Sequence, residues 1–179
     1  MTIEPFWVQV NEATLRQGDY LPGCLVPVPV FDPTDLAKNS ESKEIDVVFN
    51  VFDLIVLTQS CDLENNKVRL VALCRIYSLS EFEEINPHLA KRGKWEEVRK
   101  GRVEGLHLLA SPTNPDDNRA ALVVDFREIH SLPYDYLLKQ ATELGNRWRL
   151  KSPFLEHFSQ GFAKLFMRVG LPAAIPPFK

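Results

Sequence analysis

Five consecutive side chains, Thr58, Gln59, Ser60, Cys61 and Asp62, gather polar and reactive chemistry where the apolar run Ile55-Val56-Leu57 stops. Loop residues held by a rigid strand are common places for a site. Thr58, Ser60, Cys61 and Asp62 are the candidate catalytic positions, since they offer a hydroxyl or thiol nucleophile beside a carboxylate. Gln59 and Asp62, with Arg168 further along the chain, are the candidate binding residues. A reactive thiol needs a cation, a histidine or a helix N-terminus beside it. Asp62 carries the opposite sign, and none of His88, His107, His130 and His157 is close to Cys61 in sequence. Cys61 is therefore expected to be a half-buried loop thiol. Gln59 and Asp62 are expected to satisfy backbone groups where the strand ladder ends.

Other constellations are weaker. No Cys-x-x-Cys or His-x-x-x-His spacing points to zinc. Asp62, Glu64, Asn65 and Asn66 cluster oxygen atoms but lack the glycine and distal glutamate of a calcium loop, so turn chemistry accounts for them better. No metal or other cofactor is expected. His157, Gly161, Lys164 and Arg168 recur at helical spacing and form one stripe, either a solvated face with Gly161 packed closely on a neighbour or a face for phosphate. Asp125 and Arg127 share one strand face and are expected to pair at the surface.

The elements that position these residues are legible in part. Cys24 to Phe31 reads as an edge strand, because Pro27 and Pro29 remove donors from one side. It is followed by a polar excursion from Asp32 to Glu44. Val47 to Thr58 is too apolar for a one-sided strand and is expected to cross the core as one or two strands. Lys67 to Tyr77 alternates, so the two segments should form an antiparallel hairpin whose connection carries Cys61 to Asn66. Ser80-x-x-Glu83 has the form of a capping box, which places a short helix near Glu81 that Pro87 kinks or ends. Lys91 to Arg102 is either a solvated helix or a loop. Gly105 to Ala110 and Ala120 to Arg127 are strand candidates around a turn-rich loop. The clearest helix runs from Pro153 to Val169, with Ser152 as N-cap, Gly170 and Pro172 as its stop, and Phe154, Phe158, Phe162 and Leu165 on the face that packs on the sheet.

The chain has 179 residues, 45% of them hydrophobic and 25% charged, which suits one soluble domain with a sizeable core. Its formal net charge of -3 argues against affinity gained by blanketing phosphates with cations, so nucleic acid is not an expected partner. The first residues lack the pattern of a secretory signal, and no apolar run approaches the roughly 20 residues of a membrane span. Cytoplasmic placement with no membrane contact is expected. Three cysteines fit reduced thiols, with Cys24 and Cys74 on apolar strand faces and therefore in the core.

Gly18-Asp19-Tyr20, a first strand, a polar loop, a core strand ending in Thr58-Gln59-Ser60 and a further strand over Val68 to Ile76 together resemble the start of the MazF/PemK-like toxin family. The resemblance covers about the first half of the chain and implies a small SH3-like barrel with ribonuclease activity. The family uses an arginine at an Arg-Pro position and a later Ser or Thr. Here Phe52-Asp53 stand at that position, and Thr58 or Ser60 would be the hydroxyl. The Thr58-to-Leu63 string and the closing Phe166-Met-Arg-Val-Gly-Leu-Pro also resemble segments of uncharacterised bacterial or phage-associated proteins. The expected fold is α+β, a bent antiparallel sheet or partly open SH3-like barrel with a C-terminal helix packed on it. The expected function is a non-catalytic protein-binding module of a bacterial or mobile-element system, toxin-antitoxin or defence systems included. It would be able to form a homo-oligomer, with a MazF-like nuclease or other hydrolase as the alternative.

Overall fold

A computed structural model describes residues 5–30, 46–65 and 67–167. The polar excursion over 32–44, Asn66, Arg168, Val169 and the helix stop at Gly170 and Pro172 lie outside the described residues. The strands are β1 (Trp7–Val10), β2 (Tyr20–Pro29), β3 (Val47–Val56), β4 (Leu70–Ser78), β5 (Leu106–Leu109), β6 (Leu122–Pro133) and β7 (Arg147–Leu150). The helices are α1 (Ser60–Glu64), α2 (Leu79–Ile85), α3 (Lys94–Arg99), α4 (Tyr134–Leu144) and α5 (Phe154–Phe166). The fold is α+β. One antiparallel sheet has the order β2-β3-β4-β6-β5, and β1 pairs with β7 in a second. The larger sheet is open, with β2 and β5 at its edges. Among the described residues no helix is long and apolar enough to cross a membrane.

The apolar run at the end of β3 is covered from both sides. Leu54 and Val56 face a cluster that includes Val71, Leu132, Leu137 and Ala141, so α4 lies on that face. Ile55 and Leu57 face a second cluster with Ile76, Val124, Phe126 and Phe158, under α5. Side-chain alternation along a strand makes both contacts available to one continuous apolar segment. Cys24 and Cys74 sit in these clusters, and burial pushes each thiol up to about 12.

The first half of β3 departs from the expectation of a strand crossing the core. β4 pairs only with Leu54 to Val56, so β2 and β3 continue beyond the sheet as a two-stranded arm. Where the strands diverge, the Arg75 guanidinium lies 3.9 Å from the centre of the Phe52 ring and 4.2 Å from that of Tyr77. That side chain therefore lies over both rings where the β3–β4 ladder stops.

Several boundaries also move. The β3–β4 connection folds into α1 instead of remaining a plain turn. The capping box is Ser78 with Glu81, two residues earlier than Ser80 with Glu83, because β4 ends at Ser78 and its hydroxyl accepts the Glu81 N–H at 3.2 Å. Pro153, not Ser152, occupies the N-cap of α5, and no side chain caps that end. Of the two readings of 91–102, a short helix is found, α3. The helix α4 and the β1–β7 pair go beyond what periodicity suggested, although Leu137, Leu138 and Ala141 in α4 do recur at helical spacing.

Candidate functional site

The 58–62 segment is built from the backbone outward. The Leu57 N–H and the Thr58 N–H donate to the Ala72 carbonyl at 2.9 and 3.3 Å, and the Thr58 hydroxyl accepts the Ala72 N–H at 2.8 Å. Gln59, in extended conformation, begins α1, and its carbonyl accepts the N–H groups of Asp62 and Leu63 at 3.1 and 3.3 Å. The Ser60 hydroxyl accepts the Gln17 N–H at 3.1 Å, and the Gln17 carboxamide donates to the Leu57 carbonyl at 2.9 Å. Leu63 anchors the turn in the core. Both candidate hydroxyls are therefore occupied as acceptors of backbone N–H groups.

Gln59 and Asp62 do less than expected. The Gln59 side chain makes no cap bond, and its Oε1 lies 3.7 Å from the Cys61 thiol. Among the described residues, Asp62 receives only Lys67 Nζ at 3.6 Å and the same thiol at 3.8 Å. The organising side chains are instead Thr58, Ser60 and Gln17, together with Asn65, whose Nδ2 donates to the Cys61 carbonyl at 2.6 Å. Cys61 itself is exposed, not half-buried. Arg168 lies outside the described residues.

A separate cleft of about 680 Å³ opens between α3, β5 and α5, with His107, His157, Gly161 and Lys164 among its lining residues. None of residues 58–62 lines it. Gly161 shows why the stripe contains a gap: a Cβ there would lie 3.1 Å from His107 Nδ1 and from Phe126 Cε2. Burial lowers the pKa of His107 to about 4, with His157 adding to the effect, so its imidazole is neutral at pH 7. His130 is elsewhere, its ring 5.5 Å from that of Phe52 and its Nε2 buried without a hydrogen-bond partner among the described residues. Asp125 is buried and holds Arg127 through Nε at 2.7 Å and Nη2 at 2.6 Å, so the expected pair forms with only the arginine exposed.

Sequence reasoning missed the densest polar cluster. Asp19, fully buried, accepts from Arg147 Nε at 3.0 Å, from Arg149 through Nε and Nη2, and from the Arg16 N–H at 3.0 Å. Arg147 also donates to the Glu12 and Thr14 carbonyls at 2.7 and 2.6 Å. The signal was Arg147-Trp-Arg149, two cations with the period of a strand, which face Asp19 once β7 forms. Gly18, at φ +81°, completes this turn, for its N–H donates to Val56 and its carbonyl accepts from Leu150. A Cβ at Gly18 would come within 2.9 Å of Leu155.

The arm carries the last candidate surface. Pairing places Leu25, Pro27 and Pro29 opposite Val51, Phe49 and Val47, and all six side chains fall on one exposed face. Phe49 is 63% and Val51 64% exposed. An antiparallel strand with one wet face ordinarily puts polar residues there; this face has none. No protein-family model matches the chain, and no curated protein matches it.

Proposed function

We propose that this chain is a single-domain, non-catalytic protein-binding module of a bacterial or mobile-element system, acting in the cytoplasm, and that its docking surface is the β2–β3 arm. The observation that carries this is the uncharged, exposed face of Leu25, Pro27, Pro29, Val47, Phe49 and Val51. Exposed apolar surface of this continuity is characteristic of interaction sites.

The arm's two edges differ. On β2 the outward positions are Leu25, whose N–H is taken by the Tyr136 hydroxyl at 2.7 Å, and two prolines that have no N–H. On β3 the alternation of the ladder turns the N–H and C=O groups of Val47, Phe49 and Val51 away from β2, and no described strand pairs with them. Exposed edges are normally blunted by proline, charge or a bulge. Only one is blunted here. The open edge suits an extended, uncharged segment of a partner protein added as a strand. Pairing of β3 with β3 of a second copy would lengthen the sheet and double the bare face, whereas a foreign partner can supply both a strand and a cover.

The resemblance extends the proposal to a partly open SH3-like barrel, and the register shifts at Leu21/Cys24 and Cys74/Arg75, irregularities of a kind that bends strands, support that reading. The nuclease alternative stands second, since Thr58 and Ser60 are occupied by backbone donors. A capped Val/Thr heptapeptide titrated into labelled protein tests the docking edge. It should slow amide exchange at Val47, Phe49 and Val51, and Val51→Pro, which removes an outward donor, should abolish the effect. No protection in the unmodified chain would overturn the proposal. So would a dimer, seen by sedimentation, that Val51→Pro dissociates, because a second copy would then hold the edge.

A further inference from the structure

The cleft beside α5 combines two kinds of wall. One wall is aromatic: Phe6 stacks on Phe154 with ring centres 3.7 Å apart, and Phe126 and the neutral His107 continue the surface, their rings 5.7 Å apart. The other is cationic. Lys100 and Arg99, from the end of α3, face Lys164 and His157 on α5. Arg99 and Lys100 share Glu96, at 2.6 and 3.3 Å. Lys164 has no ion pair with any described residue. Glu104 is the one carboxylate among the described lining residues, so even with Glu96 counted Arg99, Lys100 and Lys164 leave positive charge in excess among them.

The helix places these groups deliberately. His157, Gly161 and Lys164 are separated by four and three residues and fall on one line of α5. The missing side chain at Gly161 lets the His107 and Phe126 rings lie against the helix, which sets the aromatic wall directly beside the two titratable groups. A volume of about 680 Å³ falls within the range of small-molecule sites, which pair apolar walls with a few convergent polar groups. Charge without the rings would suit inorganic phosphate, and rings without the charge a neutral hydrocarbon.

We infer that this cleft binds a small organic anion, a carboxylate or phosphate ester carried on a flat aromatic body, with the anionic group between Lys164 and His157 and the ring against Phe154 and Phe126. The site is independent of the arm, shares no residue with it, and adds ligand binding to the proposed protein-binding function.

Phenyl phosphate is the probe, compared with inorganic phosphate for charge alone and benzyl alcohol for the ring alone. Binding is read from the imidazole proton resonances of His107 and His157, with thermal unfolding as the control for folding. Phenyl phosphate is expected to shift both histidines and to bind at least about tenfold more tightly than either fragment. Lys164→Gln, an exposed position, should weaken it about tenfold with unchanged melting. Gly161→Leu, which fills the cleft, should abolish it; if that variant does not fold, Lys164→Gln and the two fragments decide alone. No shift at millimolar phenyl phosphate, equal affinity for phenyl and inorganic phosphate, or undiminished binding by Lys164→Gln would overturn the inference.

Discussion

The β2–β3 arm and the Asp19 cluster invert the usual distribution of polarity in opposite ways. The arm exposes apolar side chains, and the cluster buries charge. Around Asp19 nearly every donor has an acceptor inside the chain: two guanidinium groups, the Asp19 and Glu12 carboxylates and the carbonyls of Glu12 and Thr14 close on one another. The buried Asp19 carboxylate is engaged entirely from within the chain. On the arm the backbone groups of Val47, Phe49 and Val51 and the side chains around them have no partner among the described residues. Internal satisfaction marks a device that holds the fold, and a deficit of partners marks a surface turned outward. Residue type alone would have assigned the roles the other way round, since charged clusters attract functional interpretation and Val or Phe runs suggest core.

Asp19→Ala breaks the comparison most severely. Removing one member of a buried ion cluster leaves the others uncompensated and costs about 3–5 kcal/mol. Arg147 would keep the Glu12 and Thr14 carbonyls and Arg149 the Glu12 carboxylate, so the cost should fall within that range. In a chain of this size that corresponds to a fall in melting temperature of about 10 °C or more. Urea unfolding and a thermal scan check it. A variant as stable as the parent would show that water reaches the two arginines, and the cluster would no longer count as a structural device.

An intermediate effect separates the side chains within the 58–62 segment. Thr58→Ala leaves the Ala72 N–H without its side-chain acceptor, and Ser60→Ala does the same to Gln17, each costing about 1–3 kcal/mol where the donor is shielded from water. Among the described residues the double change Gln59→Ala with Asp62→Ala removes only thiol contacts and one long ion pair, so about 0.5 kcal/mol or less is expected, as for other exposed pairs. Melting of the three variants side by side tests the division. A larger loss from the Gln59/Asp62 change would restore those two as organisers of the connection.

Much of this architecture was legible because it rests on local rules. Pro27 and Pro29 identified an edge, the period of Phe154, Phe158 and Phe162 identified α5, and alternation over Lys67 to Tyr77 identified β4. The parts that were not legible depend on distant partners. Val47 to Val51 look like core because strand periodicity reports the side chains and not the neighbour, and here β4 turns away after Arg75. Thr58 and Ser60 looked reactive because sequence does not show that Ala72 and Gln17 aim N–H groups at them. The cleft required α3, β5 and α5 to converge, although the stripe of His157, Gly161 and Lys164 was already visible along the helix.

An equally small change in stability is expected on the arm, and it is the sharpest test of the contrast with Asp19. Phe49→Thr with Val51→Thr keeps β-branched shape at one position and strand propensity at both, and it removes apolar surface that is already more than half exposed. Only the smaller, buried share of each side chain can be lost. Unfolding free energy should therefore stay within about 0.5 kcal/mol of the parent, as surface substitutions usually do. Exposed apolar area falls, so fluorescence of a surface-hydrophobicity dye should fall with it. A loss comparable to that of a core truncation, about 2–5 kcal/mol, would show that this face is already covered within the chain, and the proposed docking surface would have to be given up.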